Sequence, residues 1–118
     1  MEEHKDDLKL TELGYFSGTG QYHKVLNVNV TDGIKYIMDN GYSWLVTDML
    51  IAIMGTPKLS QEEFIAIKLK VADHKAVVTV EDGNNNVLYT QRYDYTDAEV
   101  EELTLFLADD VLMLSGEY

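Results

Sequence analysis

The feature of this 118-residue chain that most constrains its fold is a switch to two-residue periodicity in its second half. Apolar and polar side chains alternate through Ile65–Val71 and Ala76–Val80, and this spacing places one class on each face of a β-strand. Asp73-His74 predicts a tight turn between the two runs. The polar stretch Asp82–Asn86 predicts a hairpin loop before a third strand, Val87–Tyr95. Consecutive strands with such short connections indicate an antiparallel meander.

Helices are predicted before and after this meander. Thr31 is a suitable N-cap for a helix over Asp32–Asn40. The next helix, Trp44–Met54, has an apolar arc of roughly 200° at the usual 100° per residue, so it is expected in the middle of the fold. Thr96 and the Glu three residues later form a capping box that predicts a further helix over Asp97–Ala108.

These elements predict one α+β domain over residues 1–118. In this fold class, helices pack on one face of a three- to four-stranded antiparallel meander sheet, to which Val111–Leu114 can add the last strand. The chain has no Cys, which excludes disulfides and favours a cytoplasmic setting. Its longest apolar run, Met49–Met54, is far shorter than the ~20 residues of a membrane span, so no membrane association is expected.

The chain is strongly acidic, with 21 Asp and Glu against 9 Lys and Arg and a formal net charge of -12. No Lys or Arg follows Arg92. Such a surface repels nucleic-acid backbones and attracts basic proteins, so a basic protein surface is the expected partner and direct nucleic-acid binding is not. The residues expected to contact that partner are the carboxylates on the outer face of the terminal helix and its end: Asp97, Glu99, Glu101, Glu102, Asp109 and Asp110.

A second candidate patch lies on the apolar helix. Asp48 interrupts the apolar sequence of that helix and shares a narrow side of the helical wheel with Trp44. The functional interpretation is a small recognition patch with Trp44 as its apolar anchor. The alternative is a partly solvated helix edge whose carboxylate bonds to a neighbouring turn.

No motif predicts a catalytic, metal or cofactor site. Asp82–Asn86 resembles the start of a calcium loop, but its Gly and the residue at the twelfth position do not fit that motif, which favours a hairpin turn. The glycines Gly14, Gly18 and Gly20 match neither the phosphate loop nor the dinucleotide fingerprint. The three His are scattered, and a zinc site needs its ligands at defined spacings.

Four short patterns, taken in order, resemble a known family. They are Phe16–Tyr22, Thr31-Asp32-Gly33, Trp44-Leu45 followed by Asp48, and Tyr95-Thr96-Asp97 with the ending Leu112–Tyr118. Together they are similar to a family of short proteins that is known only as a domain of unknown function, with members in bacteria, phages and plasmids. The resemblance implies a mobile-element setting and carries no assigned activity.

The sequence therefore favours a small, acidic, non-enzymatic binding protein of phage or mobile-element origin. Its most specific form is an inhibitor of a host defence nuclease complex, of the anti-CRISPR or DNA-mimic type, which occupies a basic nucleic-acid groove. One alternative is an accessory protein that self-associates as a homodimer or binds a basic host protein. Another is a small hydrolase or nucleotide-handling enzyme that uses Asp32, Asp48 and His23.

Overall fold

In the computed structural model, which describes residues 22–117, seven strands form one mixed sheet. Their bounds are β1 His23–Val25, β2 Val28–Val30, β3 Phe64–Ala72, β4 Lys75–Glu81, β5 Val87–Tyr93, β6 Glu102–Ala108 and β7 Val111–Leu114. Their order across the sheet is β1-β2-β7-β6-β3-β4-β5. Every neighbouring pair is antiparallel except β2 and β7, which run parallel. The glycines Gly14, Gly18 and Gly20 lie outside the described residues.

Helical backbone connects β2 to β3. It comprises α1 Asp32–Ile37, a π-helical turn Met38–Tyr42, α2 Ser43–Gly55 and α3 Pro57–Ser60, and a 3₁₀ turn Ser115–Glu117 ends the described chain. Thr31 caps α1 as predicted, because its Oγ1 accepts the Ile34 N–H at 3.3 Å. Gly41, with φ 102°, lies inside the π-helical turn and marks a kink between α1 and α2.

The predicted fold class is wrong. The meander β3–β4–β5 is present, but it forms only part of a seven-stranded mixed sheet, so the fold is not helices packed on one face of a three- to four-stranded antiparallel meander. The difference arises in two places. The chain before α1 contributes the strands β1 and β2, and the predicted terminal helix is a strand.

The segment predicted as the helix Asp97–Ala108 is extended and then forms β6. Thr96 does not cap a helix: its Oγ1 accepts the N–H of Ala98, only two residues later, at 3.1 Å. The next two N–H groups, of Glu99 and Val100, donate to the Tyr42 hydroxyl at 3.2 and 3.3 Å. The donors of this segment are therefore satisfied by a distant side chain, and the helical spacing of its apolar residues is overridden by tertiary contacts.

Three two-residue turns organise the sheet. They are Leu26-Asn27 between β1 and β2, Asp73-His74 between β3 and β4, and Asp109-Asp110 between β6 and β7, and both residues of each turn have positive φ. This is the signature of type I′ turns, whose twist matches that of paired strands. The Asp73-His74 turn confirms the sequence prediction.

The core lies between the helices and the alternate residues of the sheet. Ile67 pairs with Val80 on one side and Leu105 on the other, and all three are fully buried. Against them pack α1 and α2, with Leu50 as a fully buried residue of α2. The prediction that the Trp44–Met54 segment is a central, buried helix is confirmed.

A buried carboxylate joins the last described residue to the start of α1. Glu117 Oε1 accepts the Thr31 hydroxyl at 2.6 Å and the Leu114 N–H at 2.8 Å, and its Oε2 accepts the Gly33 N–H at 3.1 Å. We call this arrangement the Glu117 clasp. Gly33 is required for it, since an added Cβ there would lie 2.7 Å from Glu117 Oε1 and from Leu114 Cδ1.

Neighbouring positions on α2 provide a matched test of the core. Leu50→Ala should lower the free energy of unfolding by about 2–5 kcal/mol, because Leu50 is 0% exposed and its loss leaves a cavity. Ile51→Ala, at a side chain that is 56% exposed, should change it by less than about 0.5 kcal/mol. Urea denaturation of both variants measures the difference, and equal effects would contradict the assigned helix orientation.

Two glycines provide a matched test of the Glu117 clasp. Gly33→Ala should destabilise the protein by about 1–3 kcal/mol, since its methyl group displaces the Glu117 carboxylate and the Leu114 side chain. Gly116→Ala should be tolerated, because no atom lies within 4 Å of a Cβ at that position. Thermal unfolding of the two variants, with the wild type alongside, tests the clasp; a stable Gly33→Ala protein would argue against it.

Candidate partner-binding site

A cavity of about 500 Å³ lies where α2 and α3 meet the start of β3 and the end of β6. Its lining combines an apolar floor with carboxylates, and we call it the acidic groove. The floor residues include Leu50, Ile53, Met54, Leu59, Ile65 and Leu107. The carboxylates are Glu62, Glu63, Asp109 and Asp110. No basic residue is found among the described residues that line it.

Local backbone chemistry fixes where these carboxylates stand. Asp109 and Asp110 occupy the two central positions of the β6–β7 turn, with φ of 54° and 61°, a conformation that Asp tolerates better than most residues. The carbonyl of Asp110 accepts the N–H of Asn29 at 3.0 Å, which ties the turn to β2. Glu62 and Glu63 follow α3 and precede β3. The carboxylates on both sides of the groove are therefore carried by short connections between ordered elements.

The acidic groove is suited to an amphipathic basic segment. Its floor can take an apolar side chain, while its carboxylates can pair with Lys or Arg beside that side chain. Met54, 51% exposed, extends the apolar surface at the groove. Among the described residues, no group of three or more His, Asp or Glu is placed to hold a metal ion. The arrangement favours binding a cationic, partly apolar ligand.

A second, smaller cavity of about 240 Å³ is lined by Trp44, Tyr93, Tyr95, Thr96 and Asp97, and we call it the aromatic pocket. The Trp44 and Tyr93 rings meet edge to face, with centroids 4.8 Å apart and planes at 67°. Tyr95 is 71% exposed. The pocket thus presents aromatic surface beside the exposed Asp97 carboxylate.

Asp48 lies behind the aromatic pocket. Its Oδ2 accepts the Tyr93 hydroxyl at 2.8 Å. Burial, and then the hydrogen bond and charge of Asp48, raise the pKa of the Tyr93 hydroxyl well above its ordinary value of 10.0. Its hydrogen bond to Asp48 fixes the ring that forms one wall of the pocket.

The structure divides the residues predicted to bind a partner among three places. Asp109 and Asp110 line the acidic groove. Trp44 and Asp97 line the aromatic pocket, and Asp48 supports it through Tyr93. The remaining residues are exposed on the extended segment before β6 and on its first residue: Glu99, Glu101 and Glu102. They do not form the outer face of a helix.

Sequence reasoning missed Glu62 and Glu63, and it missed the pocket roles of Tyr93 and Tyr95. The two glutamates directly precede a predicted strand, and nothing in the sequence indicates what lies opposite them. Tyr93 is the last residue of β5 and Tyr95 follows it. Only the fold brings these tyrosines to Trp44, which is far away in sequence.

Two of the residues considered for an enzyme do meet. His23 Nε2 and Asp32 Oδ1 are 3.0 Å apart, and both side chains are about one third exposed, at 33% and 38%. A His–carboxylate pair can serve as a general base when a substrate is bound beside it. Asp48, the third residue considered, bonds to Tyr93 instead. These contacts therefore do not bring together the three residues named for the enzyme alternative.

Comparisons with known proteins give one match. A family model described as a family of unknown function, DUF6876, matches residues 7–118. No curated protein and no solved structure matches the chain. Within the part of the chain that the structure describes, no helix combines the length and the apolar character needed to span a membrane.

The Tyr93–Asp48 contact predicts a pH dependence. The folded state favours the neutral Tyr93 hydroxyl, so this group stabilises the folded protein below pH 10.0. The stabilisation is lost as the pH rises through the raised pKa of Tyr93 in the folded state. Asp48→Asn removes the charge that helps to raise this pKa, so Tyr93 should ionise at lower pH than in the wild type. Tyrosinate absorbance, titrated from about pH 8 upwards, measures the change, and Tyr93→Phe identifies the component that belongs to Tyr93.

Asp39→Asn is the control, since Asp39 pairs with Lys35 at 2.8 Å. It should leave the Tyr93 titration unchanged. An equal shift in the Asp39 and Asp48 variants would show that total charge, and not the direct contact, controls Tyr93.

Proposed function

The chain belongs to the DUF6876 family of unknown function, and we propose that it is a small, acidic, non-enzymatic binding protein whose acidic groove receives a basic segment of a partner protein. The observation that carries the proposal is the composition of that groove. It has an apolar floor and four lining carboxylates, and no basic residue is among the described residues of its lining. A cavity built in this way discriminates by both shape and charge.

The charge of the whole molecule supports the same interpretation. A net charge of -12 on 118 residues creates a negative potential that accelerates encounter with basic surfaces and disfavours contact with nucleic acid and acidic proteins. The groove then supplies the apolar contacts that charge alone cannot, since screened surface charges contribute little to affinity.

The more specific form of the proposal takes the partner to be a nucleic-acid-binding protein, in particular a nuclease complex of a bacterial defence system. Proteins of this class carry basic grooves for phosphate backbones, and dense carboxylates are their electrostatic complement. In this form the protein originates from a phage or mobile element, acts in the cytoplasm and inhibits the nuclease by competing with nucleic acid.

Self-association is a second candidate, favoured by the edge of the sheet. Strand β5 is terminal in the strand order and, among the described residues, pairs only with β4. An edge strand of seven residues can pair with a second copy of itself. Light scattering of the purified protein decides this candidate: a concentration-independent monomer mass would exclude it.

Two variants of equal charge test the groove. The groove variant, with Glu62→Gln, Glu63→Gln, Asp109→Asn and Asp110→Asn, removes four charges, and Asn keeps the positive φ that the turn requires. The matched control neutralises four exposed carboxylates that do not line the groove: Asp94→Asn, Glu99→Gln, Glu101→Gln and Glu102→Gln. We expect the groove variant to lose at least about tenfold in affinity for the partner and the control to lose much less.

The measurement uses a partner captured from a bacterial lysate by the wild type, with both variants as parallel baits. Isothermal titration at about 0.1 M and 1 M salt then gives the affinities, and wild-type binding should weaken as the screening length falls from about 10 Å to about 3 Å. Equal loss in both variants would show that binding depends on net charge and not on the groove. For the nuclease form, added duplex DNA must compete with the protein for the captured partner.

A further inference from the structure

Beyond the acidic groove, we propose that the aromatic pocket is a separate binding site for the guanidinium group of an arginine side chain on a partner protein. The pocket combines the two features that an arginine side chain uses: aromatic faces, on which the planar guanidinium stacks, and a carboxylate that accepts its N–H groups. In this pocket Trp44, Tyr93 and Tyr95 supply the rings and Asp97 supplies the carboxylate.

The rings of the pocket are held in place before a ligand arrives. Trp44 contacts Tyr42, with ring centroids 6.3 Å apart, and Tyr93, with ring centroids 4.8 Å apart. Tyr93 is fixed by its bond to Asp48. Tyr95 stacks on His74 with a centroid distance of 5.8 Å and an interplanar angle of 16°. A site that is already ordered loses less conformational entropy when its ligand binds.

The backbone of the pocket is fixed as well. The Thr96 N–H donates to the His74 carbonyl at 2.7 Å, so the β3–β4 turn holds the segment that carries Tyr95 and Asp97. Thr96 itself is only 8% exposed, whereas its two neighbours, Tyr95 and Asp97, are exposed. This anchor leaves one aromatic and one acidic side chain at the mouth of the same pocket.

The charges around the pocket favour a cation. The Asp48 carboxylate bonds to the Tyr93 hydroxyl and thereby increases the electron density of a ring that lines the pocket, which strengthens attraction to a cation. Asp97 adds a full negative charge at the pocket itself. No Lys or Arg is present among the described lining residues to compete for these groups.

The presence of Asp97 distinguishes a guanidinium from a quaternary ammonium. A quaternary ammonium has no N–H group, so it gains no hydrogen bond from a carboxylate, whereas guanidinium donates two parallel N–H groups to one carboxylate. A cavity of about 240 Å³ that is open to solvent has room for the guanidinium and part of its aliphatic stem. Arginine is therefore the side chain that matches both the rings and the acid.

The site can be tested directly because the chain contains one Trp, which lines the pocket. Trp44 fluorescence is recorded during titration with the peptide acetyl-Gly-Arg-Gly-amide, and with the citrulline peptide, which has the same shape and no charge. We expect a saturable change with the arginine peptide at a dissociation constant on the order of 1–10 mM, and at least about fivefold weaker binding of the citrulline peptide. Equal binding of the two peptides, or no saturable change with arginine, would overturn the proposal.

Variants assign the binding to the pocket. Tyr95→Ala removes an exposed ring and Asp97→Asn removes the carboxylate, and neither side chain belongs to the core. Each should weaken binding of the arginine peptide by at least about fivefold. Asp94→Asn, at an exposed acid close in sequence that does not line the pocket, should leave it unchanged. If the Asp94 variant loses as much affinity as the Asp97 variant, the binding depends on overall charge, and the proposed site is overturned.

A last titration of Trp44 fluorescence uses tetramethylammonium chloride in place of the peptide. Binding weaker than that of the arginine peptide supports a guanidinium site, and tighter binding overturns it in favour of a quaternary ammonium. Since all these titrations use small ligands and leave the groove carboxylates intact, their outcome is independent of the outcome for the acidic groove.

Discussion

The Glu117 clasp is the contact on which the connection between the two ends of the described chain depends. A single carboxylate accepts hydrogen bonds from the Thr31 hydroxyl and from the N–H groups of Gly33 and Leu114, which lie on elements far apart in sequence. It stands at the first turn of α1, where free N–H groups and the helix dipole favour a negative charge. The parallel pairing of β2 with β7 lies next to it, so the clasp fixes the junction between the β1–β2 hairpin and the rest of the sheet.

The tight turns of the sheet serve the candidate sites as well as the fold. The Asp109-Asp110 turn joins β6 to β7 and also carries two of the groove carboxylates. The Asp73-His74 turn joins β3 to β4, and its His74 both stacks on Tyr95 and accepts the Thr96 N–H. One turn thus carries residues of the acidic groove, and the other holds the segment that lines the aromatic pocket. Helix α2 completes both candidate sites, since it supplies Leu50 to the acidic groove and Trp44 to the aromatic pocket.

Local periodicity was sufficient to predict some elements and insufficient for others. The α2 helix and the β3–β5 meander each have a clear repeat and short turns, and both were predicted. The run Leu103–Ala108 satisfies the helical and the strand period together, so the acids and the Thr96 cap before it favoured a helix. In the structure, the Tyr42 hydroxyl accepts the N–H groups of Glu99 and Val100 across 57 and 58 residues of sequence, and β6 pairs with β3 and β7. A contact of this kind has no local signal.

For the candidate sites as well, local sequence signals predicted some features and missed those that depend on long-range contacts. Charge and composition predicted that Asp109, Asp110, Trp44 and Asp97 are surface binding residues, because a strongly acidic chain end and an interrupted apolar helix are visible in the sequence. Their separation into two cavities was not predictable. It depends on which strands become neighbours, and the parallel β2–β7 pair and the β3–β6 pair join segments with no shared sequence signal.

The acidic groove also has an energetic consequence for the isolated protein. Four carboxylates line one cavity, and like charges in such a setting raise the free energy of the folded state unless counterions or a cation offset them. Beside them, Met54 of the apolar floor is 51% exposed and keeps hydrophobic surface in contact with water. A basic, partly apolar segment would relieve both costs at once, whereas a purely charged or a purely apolar ligand would relieve only one. This coupling of two unfavourable features at one position is the physical reason to expect that the groove is occupied by a partner and is more than a solvated acidic surface.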